Sequence, residues 1–156
     1  MTDQDKLARS NLQTVFHIME VARNLNFFAK SLLDRADRHD QSKLEDPEAE
    51  AFAEVTEKLS GVTYGSAEYD KYRSELGDAL AHHYSNNRHH PEHYKNGIRD
   101  MNLVDLVEMF CDWRASSMRH NDGNIRKSIE HNAKRFDIPP VLASIFENTA
   151  DLFDAN

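Results

Sequence analysis

The sequence is poor in the residues that build disulfides, tight turns and membrane spans. Its only cysteine is Cys111, so neither an intramolecular disulfide nor a cysteine-rich zinc site can form. The 5 glycines and 4 prolines among 156 residues favour helices over a turn-rich β fold. No apolar run approaches the roughly 18 residues that a membrane helix needs. The polar N-terminus lacks the apolar core of a signal peptide, and a reducing cytoplasm is the predicted compartment.

The charge balance restricts the class of partner. The formal net charge is -8 with histidine neutral, and an acidic surface repels a phosphate backbone, which disfavours broad nucleic-acid binding. A small anionic substrate is compatible with this charge if bound metal and local bases overcome the field. With 39% hydrophobic and 29% charged residues, the chain has the composition of a globular protein.

Apolar residues recur at helical spacing along most of the chain, which predicts an all-α fold. We expect a single compact bundle of about six helices, one domain over residues 1–156 with its core at about 7–153. Asn102 is the predicted N-cap of the fourth helix, with Asp105 in its first turn. The predicted helices cover about residues 7–33, 48–59, 66–83, 102–118, 125–136 and 139–153.

Histidines are concentrated in one short segment, which contains five of the nine. His83 shares a helix face with Leu76 and Leu80 and should point inward, whereas His82 lies about 100° around that helix. Neutral imidazole is a common ligand of first-row metals, so the cluster predicts a metal site. A solvated, pH-sensitive patch is the alternative. Periodicity cannot sort the histidines of the following loop. The five histidines are His82, His83, His89, His90 and His93.

Three further positions supply potential ligands from elsewhere in the chain. His17 lies on an apolar helix face, where a hydrogen-bonded core histidine is the alternative. The His39-Asp40 pair lies in a polar stretch, where a solvated loop or a helix cap would also explain it. Asp112 lies beside Cys111 in an apolar helix and is either a ligand or a partly buried, paired acid.

The order of these residues resembles the HD superfamily of metal-dependent phosphohydrolases. In that family, a histidine of the first helix, an adjacent His-Asp pair and a distal aspartate bind one metal. The resemblance implies these roles for His17, His39, Asp40 and Asp112. Additional histidines between the pair and the distal aspartate recruit a second metal in binuclear members. It therefore implies two divalent ions, drawn from Mn, Fe, Co, Ni, Zn or Mg, with the second held by His83, His89 and His90.

The resemblance also implies roles in catalysis and substrate binding. The stretch His39 to Lys43 is similar to the H-D-x-G-K of the binuclear branch, with Ser42 in place of glycine, and Lys43 then takes the place of a phosphate-binding lysine. Asp40 would bridge the two metals. The stretch Cys111 to Arg119 is similar to the distal segment, displaced by about one residue. As a mechanistic hypothesis beside the resemblance, Arg119 binds substrate and Glu92 or His93 donates a proton. Arg114 is a further candidate for substrate binding, with an ordinary solvated helix face as the favoured alternative.

Most of the sequence, from His17 to about Thr149, is also similar to a small uncharacterised family of bacteriophages and bacteria. The shared words are H-D-x-S-K, Y-G-S-x-E-Y from Tyr64, H-H-Y-x-x-N-x-H-H-P-E-H-Y from His82 and C-D-W-x-A from Cys111. This second resemblance carries no activity, but it implies action in the cytoplasm of a bacterial host if the chain is phage-encoded.

Three functions remain open from the sequence. The favoured one is hydrolysis of a small nucleotide or nucleotide-derived phosphate ester. The alternatives are a diiron oxygenase on the same scaffold and a non-enzymatic protein that binds a metal or ligand. Apolar residues of the last helix fit either core packing, which we favour, or a homodimer contact; they are Leu142, Ile145, Phe146, Leu152 and Phe153.

Overall fold

The computed structural model describes residues 2–59, 62, 66–119 and 123–154, so Tyr64 of the predicted motif lies outside the described residues. These residues form seven α-helices and no strand, which confirms the predicted all-α class. Short 3-10 turns occur at Gln41–Leu44, Pro91–His93 and Gly97–Asp100. The helices are α1 (Asp3–Ala36), α2 (Glu48–Leu59), α3 (Ala67–Ser74), α4 (Gly77–Asn86), α5 (Leu103–Ser117), α6 (Ile125–Arg135) and α7 (Pro140–Asp154).

Residue contacts divide the chain into two compact units, Met1–Asp37 and Arg38–Asn156. The predicted single domain over 1–156 stays a prediction. The first unit consists of α1, which begins with a capping box in which Thr2 and Asp5 satisfy each other's backbone N–H groups. None of the residues of α1 is buried, and large apolar side chains such as Leu25 and Phe27 are exposed along its length.

The apolar core of the second unit is built by α5, α6 and α7. Phe110 of α5 stacks on Phe146 of α7 with ring centroids 5.8 Å apart, and Trp113 meets the edge of Phe146 at 5.6 Å. Ile129 of α6, only 1% exposed, completes the contact. Helix α5 therefore packs one face against the core, and its polar side chains lie on another face.

The single helix predicted over residues 66–83 is two helices, which corrects the prediction. This break accounts for the seven helices observed among the described residues, where about six were predicted. Helix α3 ends at Ser74 and α4 begins at Gly77, whose φ of +50° belongs to the left-handed region. Glycine reaches this region without the steric penalty that a Cβ imposes. The apolar spacing continues across the break, so periodicity alone could not reveal it.

The fourth predicted helix begins as expected, with Asn102 as the N-cap of α5. The Asn102 side chain accepts from the backbone N–H groups of Val104 and Asp105, at 2.9 and 3.1 Å. Asp105 is fully buried and accepts from Tyr94 Oη at 2.7 Å and from Arg88 Nη2 at 3.2 Å. The prediction of a helix-end role for Asp105 is confirmed. Its carboxylate also ties the histidine-bearing segment to the start of α5.

The last helix divides its apolar residues between the core and the surface. Phe146 is buried, and Leu142 packs against the same core, as expected. The other three apolar residues singled out in α7, Ile145, Leu152 and Phe153, are exposed, so the expected core packing was wrong for them. A homodimer contact through them stays a prediction. In the described part of the chain, no helix has the combination of length and apolar character that crossing a bilayer requires.

We expect Asp105→Ala to lower the free energy of unfolding by about 3 kcal/mol, because a buried charged acceptor of several hydrogen bonds is lost. Urea denaturation followed by circular dichroism measures the change. The control is Glu130→Ala, which removes only the exposed pair with Lys134 and should cost at most about 0.5 kcal/mol. Equal losses in the two variants would contradict the anchoring role of Asp105.

Candidate metal centre

Asp40 lies at the centre of a group of potential metal ligands in the second unit. Its backbone has φ 56°, in the left-handed region, and it precedes the 3-10 turn Gln41–Leu44. Aspartate tolerates this conformation better than most residues. Asp40 Oδ1 lies 3.5 Å from both His83 Nε2 and His89 Nε2, while Oδ2 accepts from Lys43 Nζ at 2.6 Å.

Three histidines complete the group around Asp40 Oδ1. His83 of α4 is 1% exposed, which confirms the predicted inward orientation, and its Nε2 lies 2.9 Å from His90 Nε2. His89 is also 1% exposed, with its ring centroid 4.1 Å from that of His90. One ligand atom from each of Asp40, His83, His89 and His90 lies within 4.8 Å of every other.

A second group shares Asp40 with the first. His39 Nε2 lies 3.5 Å from Asp40 Oδ2 and 3.8 Å from Asp112 Oδ1, and these residues also offer ligand atoms within 4.8 Å of one another. Asp112 is carried by α5, on a face that the apolar core does not use. The two groups have different chemistry: the first offers three imidazoles and one carboxylate, and the second offers one imidazole and two carboxylates.

Several atoms at the centre are buried without a hydrogen-bond partner. They are Asp40 Oδ1 and both ring nitrogens of His89. Buried polar atoms are normally hydrogen-bonded, so such orphans require an explanation. A divalent cation would account for two of them, Asp40 Oδ1 and His89 Nε2: with metal–ligand distances of about 2.1 Å, neighbouring ligand atoms lie about 3.0–3.4 Å apart. The 3.5 Å separations of Asp40 Oδ1 from His83 and His89 are close to that range. His89 Nδ1 points instead to Glu108 Oε1, at 3.2 Å.

The environment keeps the first group ready for a cation. Burial lowers the pKa of His83, and burial together with His89 holds the pKa of His90 well below its usual value. Both rings are therefore neutral near pH 7, the form that binds metals. Burial alone would raise the pKa of Asp40, but the Lys43 ammonium beside it lowers that pKa below its ordinary value.

His39 is held differently. Hydrogen bonding to the Asp112 and Glu108 carboxylates raises the pKa of His39 to about 10. The carboxylates thus attract a positive charge to this position, and a proton on His39 supplies it when nothing else does. This environment is that of a site with surplus negative charge, which a divalent cation would also neutralise.

A cavity of about 760 Å³ opens beside these ligands, within the second unit. Lys43, Arg73, Arg119 and Arg135 line it and give it basic character near the ligand carboxylates. Much of its remaining wall is apolar or aromatic, with Gln41, Thr56 and Ser116 adding neutral polar groups. The lining side chains of that wall include Phe52, Leu59, Tyr69, Leu80, Tyr84, Trp113 and Phe136.

The structure brings together most of the residues that the sequence singled out. Six predicted metal ligands belong to the two groups: His39, Asp40, His83, His89, His90 and Asp112. Lys43 and Arg119, predicted to bind substrate, line the adjoining cavity. His82 is less suited, as predicted from its angle on the helix, because its side chain is 40% exposed and Nδ1 contacts Glu48.

Three predicted residues, Glu92, His93 and Arg114, do not line the cavity. Glu92 accepts from Arg135 Nη2, and His93 Nδ1 donates to the backbone carbonyl of Tyr84 at 2.9 Å. Arg114 packs its guanidinium over Phe153 at 4.2 Å. Proton donation by Glu92 or His93 and substrate binding by Arg114 therefore stay predictions. Periodicity could not indicate the orientations of Glu92 and His93, because neither lies in an α-helix.

His17 lies on α1, in the first unit, and its side chain is exposed. Its predicted role as a metal ligand stays a prediction, because the two groups around Asp40 are formed by the second unit alone. Sequence reasoning missed Glu48 and Glu108, whose carboxylates contact the histidines. Glu108 lies one helical turn before Asp112, a spacing that could have indicated it. Glu48 gave no comparable signal.

Comparison with known proteins assigns the chain to a family. A family of unknown function, DUF5662, matches residues 6–152. The chain belongs to the DUF5662 family. No curated protein and no solved structure matches it. The match covers both units, including every residue of the two ligand groups. Membership of DUF5662 brings no activity with it, and the resemblance to HD phosphohydrolases stays a prediction.

We expect Zn²⁺ or Mn²⁺ to stabilise the protein, because a ligand that binds only the folded state adds about 2.7 kcal/mol at 100 times its Kd. Thermal unfolding with and without the ion measures this effect. His89→Ala should abolish it, because the orphaned Nε2 is removed. The control, His131→Ala, changes a histidine outside the ligand groups and should keep the full shift. Stabilisation that survives His89→Ala would argue against a cation at Asp40.

Proposed function

We propose that this DUF5662 protein is a metal-dependent phosphohydrolase that acts on a small nucleotide or nucleotide-derived phosphate ester. The observation that carries the proposal is the sharing of Asp40 between two ligand groups beside a basic cavity. A carboxylate can offer one oxygen to each of two cations, and paired cations are a common device for cleaving phosphate esters. The same ligand types suit Mn, Fe, Co, Ni and Zn, with Mg also open.

The two oxygens of Asp40 support this division. Oδ1 faces His83 and His89, whereas Oδ2 lies 3.5 Å from His39 Nε2. When bound, divalent ions would supply a water molecule of lowered pKa for attack on phosphorus. The protein's part is to fix the ligand atoms and to keep them away from bulk water, and the 1% exposure of His89 fits that requirement.

Basic side chains next to the ligands suit a phosphate ester. The Lys43 ammonium contacts Asp40 and lies 5.0 Å from the centroid of the Phe52 ring, so it is directed by both neighbours. Arg119 lines the same cavity, and its planar fork can bind two phosphate oxygens at once. These cations oppose the net charge of -8 locally, which lets an anionic substrate approach an acidic protein.

The size and walls of the cavity suit a small molecule. Small-molecule sites typically measure about 300–1,000 Å³, and the volume of about 760 Å³ falls in that range. Phe52, Tyr69 and Tyr84 provide aromatic surface against which a planar base can pack. A single ester of this size, free in a bacterial cytoplasm, is therefore the proposed substrate class.

We expect Asp40→Ala to lose both bound metal and phosphatase activity, because the carboxylate common to both ligand groups is removed. Metal content is measured by mass spectrometry, and activity on a nucleotide panel with the identified metal. Far-ultraviolet circular dichroism should stay that of the parent. Full activity in this variant would refute the proposal. Bound iron with oxygen uptake and no phosphate release would favour the diiron oxygenase, and bound metal without any turnover a binding protein.

We expect Lys43→Met to weaken substrate binding while metal is retained, because the ammonium contacts the ligand carboxylate without being a ligand itself. Losing one charge-assisted hydrogen bond worth about 1.5–3 kcal/mol corresponds to roughly a 10- to 100-fold lower kcat/KM. Steady-state kinetics and metal analysis test both parts. Lys127→Met on α6, outside the cavity lining, is the control. An unchanged kcat/KM in the Lys43 variant would remove this lysine from the substrate site.

A further inference from the structure

We propose that Glu48 and Glu108 are positioning residues: Glu48 holds His83 at Nδ1, and Glu108 holds His39 and His89 at Nδ1, so that Nε2 of each ring is the atom offered to a cation. The inference deepens the proposed function, since the orientation serves the same ligand groups. The orientation of the histidine rings can nevertheless be tested without any enzymatic activity. Neither glutamate was singled out by the sequence pattern, and together they contact four histidines.

Glu48 is the first residue of α2 and is completely buried. Its Oε2 lies 2.9 Å from His83 Nδ1 and accepts from Ser42 Oγ at 3.0 Å. Its Oε1 lies 2.7 Å from His82 Nδ1.

Two groups contact His83 Nδ1: Glu48 Oε2 at 2.9 Å, which can only accept, and Asn87 Nδ2 at 3.0 Å, which can only donate. The Asn87 amide has other acceptors in Ser42 Oγ and the backbone carbonyl of His83, whereas the buried carboxylate needs a donor, so we place the proton of a neutral His83 ring on Nδ1. Nε2 is then the bare nitrogen, and it is this atom that faces Asp40 and His90.

Glu108 has the corresponding place on α5, where its side chain is 9% exposed. Its Oε1 lies 3.0 Å from His39 Nδ1, a hydrogen bond, and 3.2 Å from His89 Nδ1, an ion-pair distance that is not aligned as a hydrogen bond. The two rings lie side by side with centroids 4.4 Å apart. A single carboxylate oxygen, Glu108 Oε1, thus lies close to Nδ1 of two neighbouring rings.

A third combination of potential ligands also exists. One ligand atom from each of His39, His89 and Glu108 lies within 4.8 Å of the others. That alternative conflicts with the two groups around Asp40, because it needs Nδ1 of both rings as ligand atoms. His39 Nε2 and His89 Nε2 already lie 3.5 Å from the Asp40 oxygens. A ring that binds metal through one nitrogen usually donates from the other to a carboxylate. Glu108 fits that acceptor role.

The arrangement gives the site a simple construction. Three imidazoles approach Asp40 with Nε2, and on their far sides two glutamates from different helices fix the rings. Fixed rings lose less rotational freedom when a cation binds, and loss of such outer partners typically lowers metal affinity by about 10- to 100-fold. Helices α2 and α5 therefore contribute to the metal site without supplying a ligand to its nitrogen-rich half.

The orientation can be measured on the full chain before any metal is added. Long-range ¹⁵N–¹H correlation spectra distinguish protonated Nδ1 from protonated Nε2 in each ring. After chelator treatment, at mildly alkaline pH, we expect His83 and His89 to carry the proton on Nδ1. A proton on Nε2 in both rings of the parent protein would overturn the inference, whatever the variants do.

The variants Glu48→Gln and Glu108→Gln test the cause. The amide keeps the shape of the side chain but removes the negative charge and can turn an N–H donor toward the ring, so we expect the Nδ1 signature to weaken in His83 and in His89, respectively. Calorimetric titration with Zn²⁺ alone should show roughly 10- to 100-fold weaker binding. Glu50→Gln, an exposed position on α2, is the matched control and should resemble the parent.

The outcomes separate this inference from the proposed function. Parental tautomers and parental Zn²⁺ affinity in both glutamine variants would overturn the positioning role, with the phosphohydrolase proposal intact. If the parent protein binds no metal, the proposed function fails, while the tautomer spectra still decide whether the glutamates hold the rings. Rescue of affinity by Glu108→Asp, which keeps the charge, would support the carboxylate as the cause.

Discussion

A carboxylate with buried oxygens must be matched by donors or by cations, and this constraint shapes the second unit at three places. Asp105 is matched by Tyr94, Arg88 and backbone N–H groups, and it fixes the chain around α5. Glu48 is matched by imidazoles and a hydroxyl. Asp40 is matched on one oxygen only, by Lys43, and its other oxygen has no hydrogen-bond partner. The Asp40 oxygen without a partner, Oδ1, lies at the centre of the candidate metal site.

Helix α5 joins stability and chemistry in one element. Its apolar face, with Phe110 and Trp113, forms the core with α6 and α7. Its other face carries Glu108 and Asp112 toward the histidines, one turn apart. Because one rigid helix bears both faces, the helix sets the spacing of the two carboxylates, and the packing of the core sets their position relative to the histidines. A site assembled this way depends on the core as much as on its own contacts.

The sequence predicted the helices and most residues of the two groups around Asp40, because both predictions rest on local signals. Helical periodicity indicated the inward direction of His83, and adjacency in the chain favoured the proximity of His39 and Asp40. Neither signal reaches across the fold. Glu48 contacts histidines that lie 34 and 35 residues away, and only tertiary packing creates that contact. Likewise the break at Gly77 leaves the apolar spacing intact, so the pattern reads as one helix.

The left-handed backbone at Asp40 restricts position 40 independently of chemistry. Asparagine and glycine enter this conformation readily, whereas branched side chains such as valine or isoleucine meet a steric penalty there. A relative of this protein that had lost the carboxylate could therefore keep the same turn only with a small set of residues. The backbone conformation at position 40 therefore does not depend on the carboxylate, and the turn can persist in a relative that lacks the acid.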